Sequence, residues 1–190
     1  MGAKTLVFPT PVWLVGTYGE DGRPNVMTVA WGGMCCSKPP CVAVSLRKAT
    51  HTYAGLVSRR AFTLNVPSTK FAAQADYCGM VSGKNTDKFA KAGLTPVKSE
   101  LVDAPYVEEF PMVLECRLLH SLEIGLHTMF VGEILDVRVD EAALDDQGNP
   151  VMERVNPLVY APEARTYHGV GPSMGAAFAL GKGLMGKKSE

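Results

Sequence analysis

The chain has 190 residues, of which 46% are hydrophobic and 20% charged, and its 19 basic and 19 acidic residues give a formal net charge of +0. This composition is typical of one globular domain over residues 1–190, and the balanced charge argues against a nucleic-acid partner because no long-range field attracts a polyanion. No apolar run reaches the roughly 18 residues of a membrane span, and Pro9 and Pro11 interrupt the apolar N-terminus, so the sequence predicts neither a membrane partner nor a signal peptide.

The cysteine pattern argues against a metal-binding or thioredoxin-like motif. The five cysteines are Cys35, Cys36, Cys41, Cys78 and Cys116, an odd number, and no C-x-x-C occurs. We therefore expect reduced thiols in a cytoplasmic protein.

Short β-rich runs bounded by Gly, Asp and Pro dominate the first half of the chain, and two long strand-like runs follow. In chain order the sequence predicts a strand at 12–17, a turn at 18–25, a strand at 26–31, a loop at 32–40, a strand at 41–46, a helix from Thr50, a strand at 61–67, helices at 71–78 and 87–92, a hairpin of strands at 112–124 and 128–139, a strand at 158–160 and a helical tail at 174–188. Antiparallel strands with inserted helices favour a closed or partly closed barrel of about six strands. Such a barrel has little interior room, so a ligand would bind outside it or between subunits.

The sequence SLRKATHT combines cations and hydroxyls at a predicted strand-to-helix junction. Arg47 and Lys48 end the strand, and Thr50 and Thr52 stand at the start of the helix, where free backbone N–H groups and the positive end of the helix dipole also converge. This combination suits a phosphate group. The alternative is a capped helix beside two surface cations.

The neighbouring strand could supply the wall of a planar ligand. Asn25 and Thr28 are polar residues in an apolar run that ends at Trp31, and the following segment offers free backbone groups. A flat ring rich in heteroatoms needs an apolar wall with donors and acceptors at its edge. Trp31 could equally be a core aromatic residue.

Seven segments, in a fixed order, carry a family resemblance over roughly residues 8–170. They are PTPVWLVGTYGEDGRPNVMTVAW, CCSKPPCVAVSLRKATHTYAGL, FTLNVPS, DYCGMVSGKNTDKF, GLTPV, APYVEEFPMVLECRL and HTMFVGEILDVRVDE. Together they resemble the flavin-reductase-like FMN-binding split-barrel family. The resemblance implies a mainly β, antiparallel six-stranded split barrel with flanking helices, a homodimer, and FMN held noncovalently near the subunit interface.

The resemblance also implies a set of flavin-binding residues. Asn25, Thr28, Ala30 and Trp31 would contact the flavin from the second strand; Cys35, Cys36 and Ser37 would pass near its ring; Arg47, Lys48, Thr50, His51 and Thr52 would hold the phosphate and ribityl end; Ser82, Gly83, Lys84, Lys88 and Phe89 would close over it. Asp87, which lies between Lys84 and Lys88, is interpreted as a helix-start or ion-pair residue.

His127 is the one candidate for a catalytic role. Many reductases of the family carry Gly-Asp-His before this strand, whereas this chain has Gly125, Leu126 and His127. The histidine could approach a flavin or a nicotinamide without its usual acidic neighbour, or it could simply face solvent at a strand end.

Three functions remain open at the level of sequence. The first is a redox flavoprotein that passes electrons from a partner protein, NADH or NADPH through bound FMN to another carrier. The second is an NAD(P)H:flavin oxidoreductase that uses flavin as a dissociable substrate. The third is a split-barrel dimer without flavin chemistry, either haem-binding or structural.

Overall fold

The computed structural model describes residues 1–185. Within these residues the strands are β1 (Thr10–Pro11), β2 (Trp13–Tyr18), β3 (Pro24–Val29), β4 (Gly32–Ser37), β5 (Pro40–Arg47), β6 (Ala61–Val66), β7 (Pro96–Lys98), β8 (Pro105–Val107), β9 (Met112–Ile124), β10 (His127–Val139), β11 (Val159–Ala161) and β12 (Thr166–His168). The α-helices are α1 (His51–Arg59), α2 (Ala72–Met80), α3 (Lys88–Ala92) and α4 (Met152–Val155), and short 3₁₀ turns occupy Thr69–Phe71, Glu141–Ala143 and Lys182–Leu184. None of these helices is long and apolar enough to cross a membrane.

The largest sheet curls into a barrel. Its seven strands pair antiparallel in the order β3-β2-β6-β9-β10-β5-β4, so that β3 and β4 stand at opposite edges. Only Ala30 and Trp31 link these two strands, and the Trp31 carbonyl accepts a hydrogen bond from the Ser45 N–H in β5 at 2.9 Å. So short a link can join the two edges only if the sheet closes on itself. The prediction of a mainly β antiparallel barrel with flanking helices is confirmed.

The barrel has one strand more than the sequence predicted. The interpretation of residues 32–40 as a loop was wrong for Gly32–Ser37, which forms β4 along the edge of β5. Its small residues show no strand-like alternation, and backbone pairing with β5 makes the segment extended. The preceding strand also differs from its predicted bounds, because pairing with β2 begins at Pro24 and ends at Val29.

Two apolar cores lie on opposite faces of β2. Val15 faces the barrel interior with Phe62 and Phe130, whereas Leu14 faces a second core that α2 and α3 cover. Adjacent residues of a strand point to opposite faces, so β2 is buried on both sides. The helices therefore pack on the outside of a filled barrel, which leaves its surface and its ends for a ligand.

The predicted helical tail is wrong within the described residues. From position 174 to 185 the chain forms turns and the 3₁₀ turn Lys182–Leu184, and this stretch is exposed throughout. Its glycines at 175, 181 and 183 disfavour a helix, and no core residue holds it against the barrel. Positions 186–188 of that prediction lie outside the described residues.

Candidate functional site

The turn between β5 and α1 leaves helical N–H groups free. Thr50 precedes α1 in an extended conformation, so its predicted position at the helix start is confirmed. Its hydroxyl does not cap the helix. Both its N–H and its Oγ1 donate to the Arg47 carbonyl, at 3.0 and 2.8 Å. The first N–H groups of a helix have no acceptor within the helix. Because no side chain caps α1, the N–H groups of His51 and Thr52 have no partner within residues 1–185.

The two cations of this turn differ in their surroundings. Lys48 Nζ lies 2.5 Å from Glu123 Oε1 on β9, and this hydrogen bond and charge raise the pKa of Lys48. Arg47 is exposed, and no side chain of the described residues pairs with it. Arg47 stands directly opposite His127 in the pairing of β5 with β10. The turn thus presents one unpaired guanidinium beside a half-buried imidazole.

Asn25 links this turn to the loop before α3. Its Nδ2 donates to Thr52 Oγ1 at 2.8 Å, and its Oδ1 is buried without a hydrogen-bond partner among residues 1–185. A Cβ added at Gly83 would lie 1.9 Å from that Oδ1 and 3.0 Å from His51 Cδ2. Glycine at position 83 therefore permits a close approach that no other residue allows. The structure brings these four predicted site residues, Asn25, His51, Thr52 and Gly83, into one cluster.

Towards the end of β3 and beyond it, one of the three predicted residues already has a hydrogen-bond partner in the protein. The Thr28 hydroxyl donates to the Ala75 carbonyl at 2.5 Å and so attaches β3 to α2. Thr28 and Ala30 line a cavity of about 510 Å³ that Tyr160 and Arg165 border from the other side. Trp31 is half-buried in the link between β3 and β4.

The structure separates the cysteine-bearing strand from the phosphate-type turn. Cys35, Cys36 and Ser37 are exposed near the far end of β4, where Cys36 pairs with Cys41. Arg47 follows Cys41 by six positions in β5, which corresponds to about 20 Å along a strand. A ligand would have to extend over most of β5 to contact both groups.

The segment from Ser82 to Phe89 splits into two parts. Lys84 is exposed and borders a cavity of about 310 Å³ together with His51, while Ser82 Oγ accepts a hydrogen bond from the Lys84 N–H at 3.3 Å. Lys88 is buried and donates from Nζ to the Cys78 carbonyl at 2.8 Å, and burial lowers its pKa. Phe89 lies in the second core. The last two side chains hold α3 against α2.

Asp87 starts α3, as the sequence predicts. Its carboxylate accepts a hydrogen bond from the Ala90 N–H at 3.0 Å. This contact satisfies one free donor of the first helical turn.

Two residues near the site were missed at the level of sequence. Glu123 accepts a hydrogen bond from Lys48. Thr17 is paired with Asn25 in the β2–β3 register, and its buried Oγ1 has no partner in the part of the chain that the structure describes. The register of the β9–β10 hairpin, closed at Ile124 and His127, could have indicated Glu123. The sequence did not indicate Thr17 as a site residue, because threonine is common in strands.

The family model of the flavin reductase like domain matches residues 4–170. The chain belongs to this family. The resemblance drawn from the seven sequence segments is thereby confirmed.

Solved structures of the family include proteins similar to this chain over nearly its whole length. Flavoredoxin of Desulfovibrio vulgaris (Miyazaki F) is 54% identical with a TM-score of 0.92, covering 96% of this chain and 98% of that one. Flavoredoxin from Methanosarcina acetivorans is 32% identical with a TM-score of 0.91, covering 97% of each chain. A protein with a split barrel domain from Shewanella frigidimarina has a TM-score of 0.81 at 21% identity, covering 90% of this chain and 87% of that one. The fold is therefore a flavin reductase split barrel.

Proposed function

We propose that this chain is an FMN-binding redox flavoprotein that passes electrons through noncovalently bound FMN. Membership of the flavin reductase like family and the 54% identity to a flavoredoxin support a flavin cofactor. The residues of the β5–α1 turn support the phosphate-bearing form of the flavin. When bound, FMN would supply the electron chemistry, and the protein supplies position and electrostatics.

The chain's own groups fit the two ends of such a ligand. The Arg47 guanidinium and the free N–H groups of His51 and Thr52 would hold the phosphate, because a helix start and an unpaired cation both favour an anion. Asn25 Oδ1 is a buried acceptor to which no described residue donates, and it would accept a hydrogen bond from a polar group of the ligand. Lys48 would contribute less to phosphate binding than Arg47, because its ammonium group already donates a hydrogen bond to Glu123.

The single observation that carries the proposal is the unpartnered Asn25 Oδ1 beside the open helix start. Leaving a buried acceptor without a hydrogen bond costs about 1–3 kcal/mol. A ligand that binds at this cationic turn and donates a hydrogen bond to Asn25 Oδ1 would remove that cost.

The test is an absorbance spectrum of the purified protein followed by FMN titration of the apoprotein. A charge-assisted hydrogen bond contributes about 1.5–3 kcal/mol, so Arg47→Ala should weaken FMN binding roughly 10- to 150-fold. The matched control is Lys98→Ala, which removes an exposed cation at the end of β7, far from the turn in sequence. Equal affinity in both variants would contradict the placement of the phosphate. A colourless protein that takes up haem and no flavin would contradict the whole proposal.

A second function, an NAD(P)H:flavin oxidoreductase with dissociable flavin, is favoured by one observation. His127 lies opposite Arg47, at the phosphate-type turn, although its acidic neighbour is absent. Gel filtration separates the two functions, because a bound cofactor stays with the protein and a substrate does not. In the second case His127→Phe should slow NADH or NADPH oxidation even at FMN concentrations that saturate the protein.

We also propose that the protein is a homodimer in the cytoplasm. Its electron donor would be a redox partner protein or a reduced nicotinamide. A groove of about 790 Å³ on the barrel surface supports the dimer, since it is lined mostly by apolar side chains that include Trp13, Met34 and Met152. A second subunit would cover this surface. Sedimentation showing a stable FMN-loaded monomer would contradict the dimer.

A further inference from the structure

The hairpin of β4 and β5 places two thiols directly opposite each other. Met34 pairs with Val42, and the next pair along the hairpin is Cys36 with Cys41. Cys35 is therefore the extra residue of a β-bulge. Without the bulge Cys35 would oppose Cys41, so the bulge selects Cys36 as the cross-strand neighbour.

The spacing of this pair suits a disulfide. Residues directly opposite in an antiparallel ladder have Cα atoms about 4.5 or 5.5 Å apart, and disulfides span about 4.4–6.8 Å between Cα atoms. All five cysteines are free thiols in this structure. No group of three or more potential metal ligands occurs among residues 1–185, so the pair does not extend into a metal site there.

The two thiols differ in access. Cys36 is exposed on β4, the edge strand of the sheet, whereas Cys41 is buried in the next strand. Burial, together with the neighbouring cysteines and Glu133, raises the pKa of Cys41. Glu133 stands opposite Cys41 on β10 and is itself held by Arg117 at 2.6 Å. The exposed Cys36 thiol can meet a small disulfide, and Cys41 stands next to it in the position of a resolving cysteine.

We propose that Cys36 and Cys41 form a dithiol that reacts with low-molecular-weight disulfides and closes to a reversible Cys36–Cys41 disulfide. The Cys36 thiolate attacks one sulfur of the small disulfide, forms a mixed disulfide and releases one thiolate, which takes up a proton. Cys41 then loses its proton to solvent and attacks the Cys36 sulfur, and the second small thiol leaves. The two protein thiols are oxidised and one small disulfide is reduced to two thiols. The exchange itself uses no flavin.

The experiment exposes the folded, reduced protein to oxidised glutathione and measures its intact mass and its free thiols after denaturation. The wild-type chain should lose two of its five thiols and two hydrogens, and it should carry no glutathione. Peptide sequencing should link position 36 to position 41.

The matched control is Cys35→Ser, which changes an exposed cysteine one residue away. This variant should still close the disulfide, whereas Cys36→Ser and Cys41→Ala should not. Cys41→Ala should instead accumulate the glutathione adduct on Cys36. Glu133→Gln should speed the closing step and shift its pH profile towards lower pH, because a carboxylate beside Cys41 disfavours its thiolate.

Two results would overturn the proposal. One is a wild-type chain that keeps glutathione on Cys36 without closing. The other is loss of the disulfide in Cys35→Ser with retention in Cys36→Ser, which would assign the reaction to Cys35.

Discussion

Replacing Gly83 by alanine tests the contact that joins the loop before α3 to the candidate site. The new Cβ would lie 1.9 Å from Asn25 Oδ1 and 2.8 Å from Asn25 Cγ, so Asn25 must shift away from Thr52. Overpacking of this kind costs about 1–3 kcal/mol, and the loss of chain entropy in the unfolded state returns about 0.4–1 kcal/mol. We expect the free energy of unfolding to fall by about 1–2 kcal/mol and FMN binding to weaken with it.

Urea denaturation of the apoprotein and FMN titration measure the two effects. Gly33→Ala is the control, because a Cβ there meets nothing within 4 Å and should change stability by less than about 0.5 kcal/mol. A double-mutant cycle with Asn25→Ala then isolates the contact, since Gly83→Ala should cost much less once Oδ1 is gone. Equal costs in both backgrounds, or no cost in either, would refute the reasoning.

Three further changes test charges and thiols at other positions. Burial raises the pKa of Cys78 from 9.0 to about 11, so the stability that its protonated thiol contributes is full below pH 9.0 and is lost as pH rises through about 11. Cys78→Ala should flatten this alkaline loss in urea midpoints measured from pH 7 to 11, and a slope equal to that of wild type would contradict it. Glu115 is buried, and both of its carboxylate oxygens lack partners among residues 1–185, so Glu115→Gln should raise the melting temperature because a neutral amide costs less to bury than a carboxylate; a lower melting temperature would count against this. Glu123→Gln should free Lys48 and tighten FMN binding at low salt, with the gain fading at high salt; unchanged affinity at low salt would show that the ion pair does not restrain Lys48.

Local chemistry explains which parts of the site were predictable. The β5–α1 turn could be found from sequence because its cations and hydroxyls lie within six residues, and Thr50 stands at the helix start as expected. Lys88 and Phe89 were assigned to the flavin site only through the family resemblance, and that assignment stays a prediction. Their burial under α2 depends on tertiary packing, which no local pattern reports.

Strand pairing explains why β4 and the bulge at Cys35 were not predicted. Gly32–Ser37 carries no alternating pattern, and only its partner β5 makes it a strand, so the sequence alone indicated a loop. The bulge that places Cys36 rather than Cys35 opposite Cys41 depends on how β4 and β5 are aligned, which the sequence alone does not show. A shift of one residue would exchange the two cysteines, and the sequence specifies the register only weakly in a strand such as β4, whose second half is exposed on both faces.

The geometry of the barrel also explains why the polar cluster lies where it does. Thr17 and Asn25 are opposite each other in the β2–β3 pairing and share the interior face with Val15. The interior is apolar as far as Val15, and α1 covers its end by packing Leu56 against the same core. Beneath the start of α1 the interior therefore becomes polar, and neither Thr17 Oγ1 nor Asn25 Oδ1 has a partner there within the described part of the chain. Buried acceptors are costly unless a donor reaches them, and at the end of a barrel, beside an open helix start, a ligand can.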